Sequence, residues 1–306
     1  MLEAPGFHHL HMKSVDPSRA IDFYVRLFPR STKTTWGGFP ALAAPNDVLV
    51  LFDTVKTPAP TSPQTALWHF GWHVTDTHAA LAGYQRHGDV ALLPLYKEDT
   101  GGEVYVSSDS WPSTNPTPGL TKAQIAEAKA KNVQPTRTGG FGYMTGPDDA
   151  LVEYAGNYEA ERFNHVHMFH DDPHCAQLWY QTHLNAPARR QGGETYTEDT
   201  CKVPRGPERS WPALEQKGMF RTPVGGVVFG DVAFPWYMRQ DDTPLVSSRG
   251  HLYDHVALSV RDLDAWANKL RDERVTFLEA PYKLGATRAF MIEGPSREAI
   301  ELVEVK

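Results

Sequence analysis

Cysteine is scarce in this sequence, with only Cys175 and Cys201 among 306 residues. A small domain stapled by disulfides needs several cysteines, and Cys175 lies on a predicted helix rather than in a cysteine-rich loop. The sequence therefore excludes a disulfide framework and predicts two free thiols.

Long apolar runs and an excess of basic residues are also missing. No run approaches the ~20 apolar residues that span a bilayer, and residues 1–5 do not resemble the start of a secretory signal. The formal net charge is −7, and no basic patch contains interleaved aromatic residues. We therefore expect neither a membrane nor a nucleic acid as partner, and we predict a cytoplasmic protein.

An internal repeat is the main feature that the sequence does contain. The segment Phe7 to Phe28, FHHLHMKSVDPSRAIDFYVRLF, recurs as Phe163 to Leu184, FNHVHMFHDDPHCAQLWYQTHL, with eight identities in the first eighteen positions. Each copy alternates His with apolar residues, as a strand does, and then shows helical spacing. Asp16 and Asp172 are predicted helix N-caps, each followed by a proline at the first helical position. The repeat and the chain length both indicate two domains of about 150 residues.

A second strand-helix unit occurs once in each half, at residues 67–76 and 253–262, with matches at a constant offset of 186. Each half then closes with a Gly-Pro turn and a strand that carries Glu153 or Glu301 six residues after the proline. A glutamate among apolar strand neighbours is costly to bury unless it is paired or bound to a metal. These two glutamates are therefore candidate functional residues.

The segments between these units are less regular. Residues 48–52 and 226–230 are predicted strands, and the proline-rich residues 57–63 are a predicted surface connector. Two insertions, at about 100–140 with a short helix and at about 188–222, have the length of binding loops or of solvated surface excursions. The sequence leaves these two alternatives open.

Strand alternation places the histidines of each half on one face of a sheet. Two imidazoles and one carboxylate form a metal site that leaves positions open for water, dioxygen or a chelating substrate. Since equivalent residues recur in both halves, each half can supply such a set, and we predict at least one metal site. The predicted metal ligands are His9, His69 and Glu153 in the first half, and His165, His255 and Glu301 in the second.

These strand-helix-strand units, with histidines on the first strands and the Ile-Glu-Leu ending at Glu301, resemble the vicinal oxygen chelate superfamily. It includes glyoxalase I, bleomycin resistance proteins and extradiol dioxygenases. The resemblance implies an α+β fold of four βαβββ modules, paired into two curved, mostly antiparallel half-barrel sheets with outer helices. The expected domains are residues 1–157 and 158–306, each with two modules and its own site.

The resemblance leaves the reaction open. Four modules in one chain favour an extradiol-type dioxygenase, but the acid-base histidine of those enzymes has no counterpart around residues 49–53 or 230–236. The further glutamate of glyoxalase-type enzymes is replaced by Leu51 or Phe52. A glyoxalase-like lyase or isomerase and a non-catalytic binding protein of the bleomycin-resistance kind are the alternatives. Fe²⁺ or Mn²⁺ is the favoured ion for a dioxygenase, with Zn²⁺ or Ni²⁺ for the other enzymes.

The first half has the richer predicted surroundings. His11 and His73 alternate onto the same face as the ligands, and Tyr143 matches the tyrosine that extradiol dioxygenases carry before the Gly-Pro turn. We therefore predict His11, His73 and Tyr143 as catalytic residues and the first half as the working one. A homodimer is left open by the sequence.

Overall fold

The fold is described by a computed structural model that covers residues 2–98, 101–111, 122–189, 195–204, 221–239 and 243–305. The first module contains β1 (Gly6–Ser14), α1 (Pro17–Leu27), β2 (Thr32–Trp36), β3 (Phe39–Ala43) and β4 (Leu49–Thr54). The second contains β5 (Leu67–His73), α2 (Thr77–Tyr84), β6 (Ala91–Leu93), β7 (Tyr96–Lys97), β8 (Glu103–Val104), α3 (Lys122–Ala130), β9 (Phe141–Thr145) and β10 (Leu151–Ala155). The third contains β11 (Arg162–His170), α4 (Pro173–Leu184), β12 (Arg221–Phe229) and β13 (Val232–Met238). The fourth contains β14 (Tyr253–Val260), α5 (Leu263–Asp272), β15 (Phe277–Leu284), β16 (Thr287–Glu293) and β17 (Ala299–Glu304).

The predicted elements are present at the expected places. The Asp16 carboxylate accepts a hydrogen bond from the Arg19 N–H at 3.0 Å, so it caps α1 as expected. Asp172 occupies the N-cap position of α4, but its carboxylate accepts from the Val203 N–H at 3.2 Å instead. Helix α3 confirms the short helix in the first insertion, whereas much of the second insertion lies outside the described residues. None of the helices in the described ranges is long and apolar enough to cross a membrane.

Apart from the two-stranded sheet of β7 and β8, the strands form two large sheets, and each large sheet combines the two halves of the chain. The eight-stranded sheet has the order β15-β16-β17-β14-β1-β4-β3-β2, and the seven-stranded sheet has the order β12-β13-β11-β5-β10-β9-β6. The first module therefore pairs with the fourth, and the second pairs with the third. The α+β fold of paired modules is confirmed, but the expectation that residues 1–157 and 158–306 each form their own sheet is wrong.

The core explains why the halves are not separate units. One continuous apolar cluster contains Leu10, Phe70, Val166 and Val256, which come from the first strands of all four modules. At its centre the Phe70 ring stacks on Phe163 with 5.7 Å between ring centroids. The histidines of the same strands alternate with these residues and so point to the opposite face of each sheet. Burial of this shared core fixes the orientation of both histidine faces.

The two cysteines form a disulfide, so the prediction of free thiols is wrong. Cys175 lies in the first turn of α4, and the loop of residues 195–204 returns across that turn. Tyr196 stacks on His174 there, with 4.1 Å between ring centroids. These contacts bring the Cα atoms of the cysteines to 4.7 Å, which is within the range of disulfides. Because disulfides are rare in reducing compartments, this bond counts against the predicted cytoplasmic location.

Replacing both cysteines by serine is expected to destabilise the protein. The bond closes a loop between residues that are 26 positions apart, and the loop-entropy relation gives about 3.5 kcal/mol for that length. Chemical denaturation of the double variant checks this value. Wild-type protein treated with a reductant is the control and should unfold at the same denaturant concentration as the variant. An unchanged midpoint in both samples would contradict the prediction.

Candidate metal centres

Pairing of the first strands brings buried histidines and a glutamate together in each sheet. In the seven-stranded sheet, β5 and β11 run antiparallel and His167 lies opposite His69, while β10 lies on the other side of β5. In the eight-stranded sheet, β1 and β14 run antiparallel and His11 lies opposite His255. The β5/β11 site consists of His69, Glu153, His165 and His167. The β1/β14 site consists of His9, His11, His255 and Glu301.

The β5/β11 site is compact. His69 Nε2 lies 3.3 Å from Glu153 Oε2, and His165 Nε2 lies 3.5 Å from Glu153 Oε1. The His167 ring stacks on His165 with 4.2 Å between ring centroids, and its Nδ1 is 3.9 Å from Glu153 Oε2. The Tyr143 hydroxyl donates to Glu153 Oε2 at 3.0 Å. Three imidazoles therefore surround a carboxylate that is also held by a phenol.

A glycine makes this packing feasible. Gly71 lies in register with both His165 and Glu153 on the neighbouring strands. An added Cβ at this position would come within 2.0 Å of the His165 ring, so the imidazole occupies the space that a side chain would take. The equivalent position in β14 is Ala257. The two sites therefore differ at the centre of the sheet.

The β1/β14 site has the same ligand types as the β5/β11 site, but different neighbouring residues hold its ligands in place. His9 Nε2 lies 3.4 Å from Glu301 Oε2, and His255 Nε2 lies 3.9 Å from the same oxygen. His255 Nδ1 contacts Asp254 Oδ1 at 2.7 Å, a carboxylate-histidine pair of the kind that orients metal-binding imidazoles. The Tyr282 hydroxyl donates to Glu301. Each site thus pairs two first-strand histidines with one glutamate of a closing strand.

Both groups fit a divalent ion. Donors held about 2.1 Å from one ion are about 3.0–3.4 Å apart, close to the shortest separations in both sites. Within the described residues, His165 Nε2, His9 Nε2 and His255 Nε2 are buried and have no hydrogen-bond partner. Buried polar atoms rarely stay unpaired, so a missing partner at the focus of several imidazoles indicates a cation. The identity of that ion does not follow from the ligand types.

The electrostatics agree with this interpretation. Burial raises the pKa of Glu153, and nearby His165 and the Tyr143 hydroxyl offset part of that rise. Burial lowers the pKa of His165 to about 3 and lowers that of His69 well below its ordinary value. The imidazoles are therefore neutral at pH 7, with lone pairs free to bind a metal. A bound cation would offset the free-energy cost of burying the ionised Glu153 carboxylate.

The six predicted ligands are all in these sites, but they are grouped differently from the prediction. We expected His9 to join His69 and Glu153, and His165 to join His255 and Glu301. In the structure His165 takes the place of His9 beside Glu153, and His9 takes the place of His165 beside Glu301. The reason is the exchange of modules between the sheets, which swaps the first strands of the two repeats.

The three predicted catalytic residues do not form one cluster. Tyr143 contacts Glu153 in the β5/β11 site. His11 belongs to the β1/β14 site, with its ring centroid 4.5 Å from that of His255. His73 lies on β5 beyond the ligands and stacks on Tyr158 with 3.4 Å between centroids. Since β1 and β5 belong to different sheets, His11 cannot assist Tyr143, and the catalytic roles stay predictions.

Several site residues were not among the predicted ones. His167 corresponds to His11 in the first repeat, whose two copies are 156 positions apart. This correspondence could have identified His167 as a site residue. Tyr282 and Asp254 support the β1/β14 site, but Tyr282 lies outside the shared units and Asp254 corresponds to Trp68 in the first half, so the repeat did not mark either. On β4, Leu51 lies in register with His11, and on β13, Ala233 lies in register with His165. Neither β4 nor β13 therefore contributes a second glutamate to either site.

A cavity of about 390 Å³ opens onto the β5/β11 site. Glu153, His165, His167 and Tyr143 form its base. Its walls carry mainly hydroxyl, amide and aromatic groups, with one guanidinium, and are lined by Ser107, Ser108, Thr136, Thr138, Phe141, Asn157, Tyr158, Asn164, Arg189 and Tyr237. A small polar molecule therefore has access to the ligands.

The fold and the paired His-Glu sites define a class of proteins built from βαβββ modules with buried donors suited to a metal ion. The sequence model of the Glyoxalase/Bleomycin resistance protein/Dioxygenase superfamily matches residues 162–302. Residues 162–302 are therefore a domain of this superfamily, also called the vicinal oxygen chelate superfamily, which confirms the resemblance seen in the sequence.

Solved structures extend the likeness to the whole chain. Glyoxalase I from Zea mays has a TM-score of 0.60 and 14% identity, over 98% of this chain and 92% of that one. A protein of Bacillus subtilis subsp. subtilis with a provisional assignment as a dioxygenase has a TM-score of 0.59 and 8% identity, over 99% and 86% of the two chains. No curated protein matches the sequence. At these identities the likeness shows the fold and leaves the reaction open.

Metal-free protein is expected to lose stability in acid. Burial lowers the pKa of His73, as of His165, to about 3. Below pH 6.5 the unfolded chain binds protons on these imidazoles, whereas the folded chain does not, so the free energy of unfolding falls by roughly 1.4 kcal/mol per pH unit for each group. The loss begins near pH 6.5 and continues towards pH 3. Thermal midpoints measured in EDTA between pH 4 and 8 check this, and a flat profile would contradict it.

Proposed function

We propose that the protein is a metal-dependent enzyme that acts on a small substrate with vicinal oxygens at the β5/β11 site, as an extradiol-type dioxygenase. The observation that carries the proposal is the ligand set itself. His69, His165 and Glu153 supply three donors, no second carboxylate from the described residues enters the site, and a cavity is lined by Glu153 and His165. Such a 2-His-1-carboxylate set leaves coordination positions for a bidentate substrate and for dioxygen.

The residues around the ligands have distinct tasks in this proposal. Tyr143 donates to Glu153 and so fixes the direction of the carboxylate. His167 has a buried Nδ1 without a hydrogen-bond partner in the described part of the chain, and it faces the same carboxylate. A neutral imidazole in that position can accept the proton that a substrate hydroxyl releases on binding. The stacked rings of His165 and His167 keep this nitrogen beside the ligands.

A divalent ion held there would act as a Lewis acid for the developing enolate or catecholate and, if it is Fe²⁺ or Mn²⁺, would supply one-electron chemistry. The burial of the ligands excludes bulk water, and His69 is only 1% exposed. Exclusion of water strengthens the interaction of charged substrate oxygens with the site.

A glyoxalase-like lyase or isomerase is the second candidate. His167 and Tyr143 flank the carboxylate and are groups that proton transfer at a chelated substrate would use. Zn²⁺ or Ni²⁺ would serve that chemistry without dioxygen. A purely sequestering protein has less support, because a binding cleft does not require two buried His-Glu clusters.

The test combines metal analysis with two assays. Protein loaded in turn with Fe²⁺, Mn²⁺, Zn²⁺ and Ni²⁺ is screened for oxygen consumption with catechols and, without oxygen, for isomerisation of the hemithioacetal of methylglyoxal and glutathione. We expect oxygen uptake that depends on Fe²⁺ or Mn²⁺. Turnover only in the anaerobic assay would replace the first candidate by the second, and absence of bound metal would reject both.

A further inference from the structure

Arg189 is held at the wall of the β5/β11 cavity by β12. Its backbone N–H donates to the Gly226 carbonyl at 2.9 Å, and the neighbouring Ala188 forms a bridge with Val227. An added Cβ at Gly226 would lie 3.2 Å from Arg189 Cδ, so the arginine stem runs over a strand position without a side chain. The backbone and stem of Arg189 are therefore placed by the sheet, and this exposed residue lines the cavity.

This guanidinium has no acidic partner among the described residues. The nearby Arg162 differs, because its guanidinium pairs with Asp231 at 3.3 Å and does not line the cavity. Of the described residues that line the cavity, Glu153 is the only acidic one, and it belongs to the metal site. An arginine beside a polar cavity that has no acidic partner in the described part of the chain is available to a ligand anion.

Arg189 and Glu153 line the same cavity, so both of their charges belong to the charge balance of the site. With a divalent ion, Glu153 and Arg189 in place, the site has two positive charges in excess. The two chelating oxygens of a substrate that loses one proton balance one of these positive charges. A second negative group on the substrate would balance the remaining positive charge.

We propose that the substrate of the β5/β11 site carries a carboxylate in addition to its vicinal oxygens, and that Arg189 binds this carboxylate. The inference rests on the proposed function, because it assumes that the vicinal oxygens bind an ion held by Glu153, His69 and His165. Arg189 is then a specificity-determining residue. It lies on the chain segment that follows α4, where the two repeats differ in sequence, so the repeat gave no indication of it.

The test uses two catechols of similar size that differ in charge. Binding of 3,4-dihydroxybenzoate and of 4-methylcatechol to Zn²⁺-loaded protein is measured by calorimetry, without oxygen turnover. We expect the wild type to bind the carboxylate probe more tightly. Arg189→Met should weaken that probe roughly 10- to 100-fold and leave 4-methylcatechol unchanged, since a charge-assisted pair of hydrogen bonds is lost.

Two further variants complete the test. Arg189→Lys should restore part of the affinity, because it keeps the charge and loses the planar fork. Arg162→Gln removes a neighbouring charge that is already paired, and it should leave both probes unchanged. Equal affinities for the two probes, with no effect of Arg189→Met, would overturn the carboxylate inference and leave the proposed function standing. Failure of both catechols to bind would overturn the proposed function and the inference that rests on it.

Discussion

Glu153→Gln is expected to abolish turnover and to lower metal affinity at the β5/β11 site by more than about 100-fold. Loss of an outer-shell partner alone typically costs 10- to 100-fold, and Glu153 is the only anionic ligand that the described residues give this site. Glutamine keeps the volume of the side chain and an oxygen that accepts from Tyr143. The fold should therefore persist, and the metal-free variant should melt no lower than the wild type, because burial disfavours the carboxylate. Metal titration and turnover assays on the purified variant check this expectation.

Glu301→Gln is the matched control. It removes the equivalent carboxylate of the β1/β14 site, so it should empty that site and leave turnover within a few-fold of wild type. The reverse pattern, with activity lost in Glu301→Gln and retained in Glu153→Gln, would move the reaction to the β1/β14 site. His11 and Tyr282 would then be the residues to examine.

Gly71→Ala should disrupt the β5/β11 site without touching a ligand. Its methyl group would fall within 2.0 Å of the His165 imidazole, so the ring must leave its position between Gly71 and Glu153. We expect metal affinity to fall by at least about 100-fold, as for loss of a ligand, and stability to fall by about 1–3 kcal/mol through overpacking. Calorimetric metal titration and chemical denaturation give the two values.

Substitution of the equivalent residue in the eight-stranded sheet is the control for Gly71→Ala. Ala257 lies between His9 and Glu301 in register, and Ala257→Gly removes a methyl group instead of adding one. It should cost about 1 kcal/mol of stability, as glycine does inside a strand, and leave metal binding at the β5/β11 site intact. Unchanged metal affinity in Gly71→Ala would show that His165 is not held where the structure places it.

The ligands could be predicted because their signal is local. Alternation along β1, β5, β11 and β14 determines which histidines share a face, and a repeat offset identifies the equivalent residues. Glu153 and Glu301 stood out for the same reason, as charged residues among apolar neighbours on a closing strand. The unexpected depth of the sites, where His9 and His69 are 0% and 1% exposed, depends on contacts that single segments do not show.

The pairing of modules could not be predicted from the same pattern. The first strands of all four modules have similar alternation, so any two of them could form the central antiparallel pair. The chain connections contain the missing information. Six residues join Ala155 at the end of β10 to Arg162 at the start of β11, which is short enough to keep the second and third modules in one sheet. The longer proline-rich segment between β4 and β5 allows the chain to cross from one sheet to the other.

The disulfide and Arg189 were missed for a related reason. Both depend on where the chain goes after α4, a region in which the two repeats differ. Cys175 on a helix gives no sign of a loop that returns to it, and an isolated arginine in a polar segment resembles any solvated residue. Contacts such as those of Asp172 with Val203 and of Arg189 with Gly226 hold these segments against the helix and the sheet, and the sequence gives no sign of them.

The central claim is that one metal site is built across the two halves by His69, Glu153 and His165. Metal stoichiometry, measured by calorimetric titration in a Glu301→Gln background that leaves only the β5/β11 site, tests it most directly. Adding His165→Ala to this background should abolish the remaining site, whereas adding His9→Ala should leave one ion bound per chain. Loss of the ion on adding His9→Ala, with retention on adding His165→Ala, would contradict the claim and restore the grouping of His9 with His69 and Glu153.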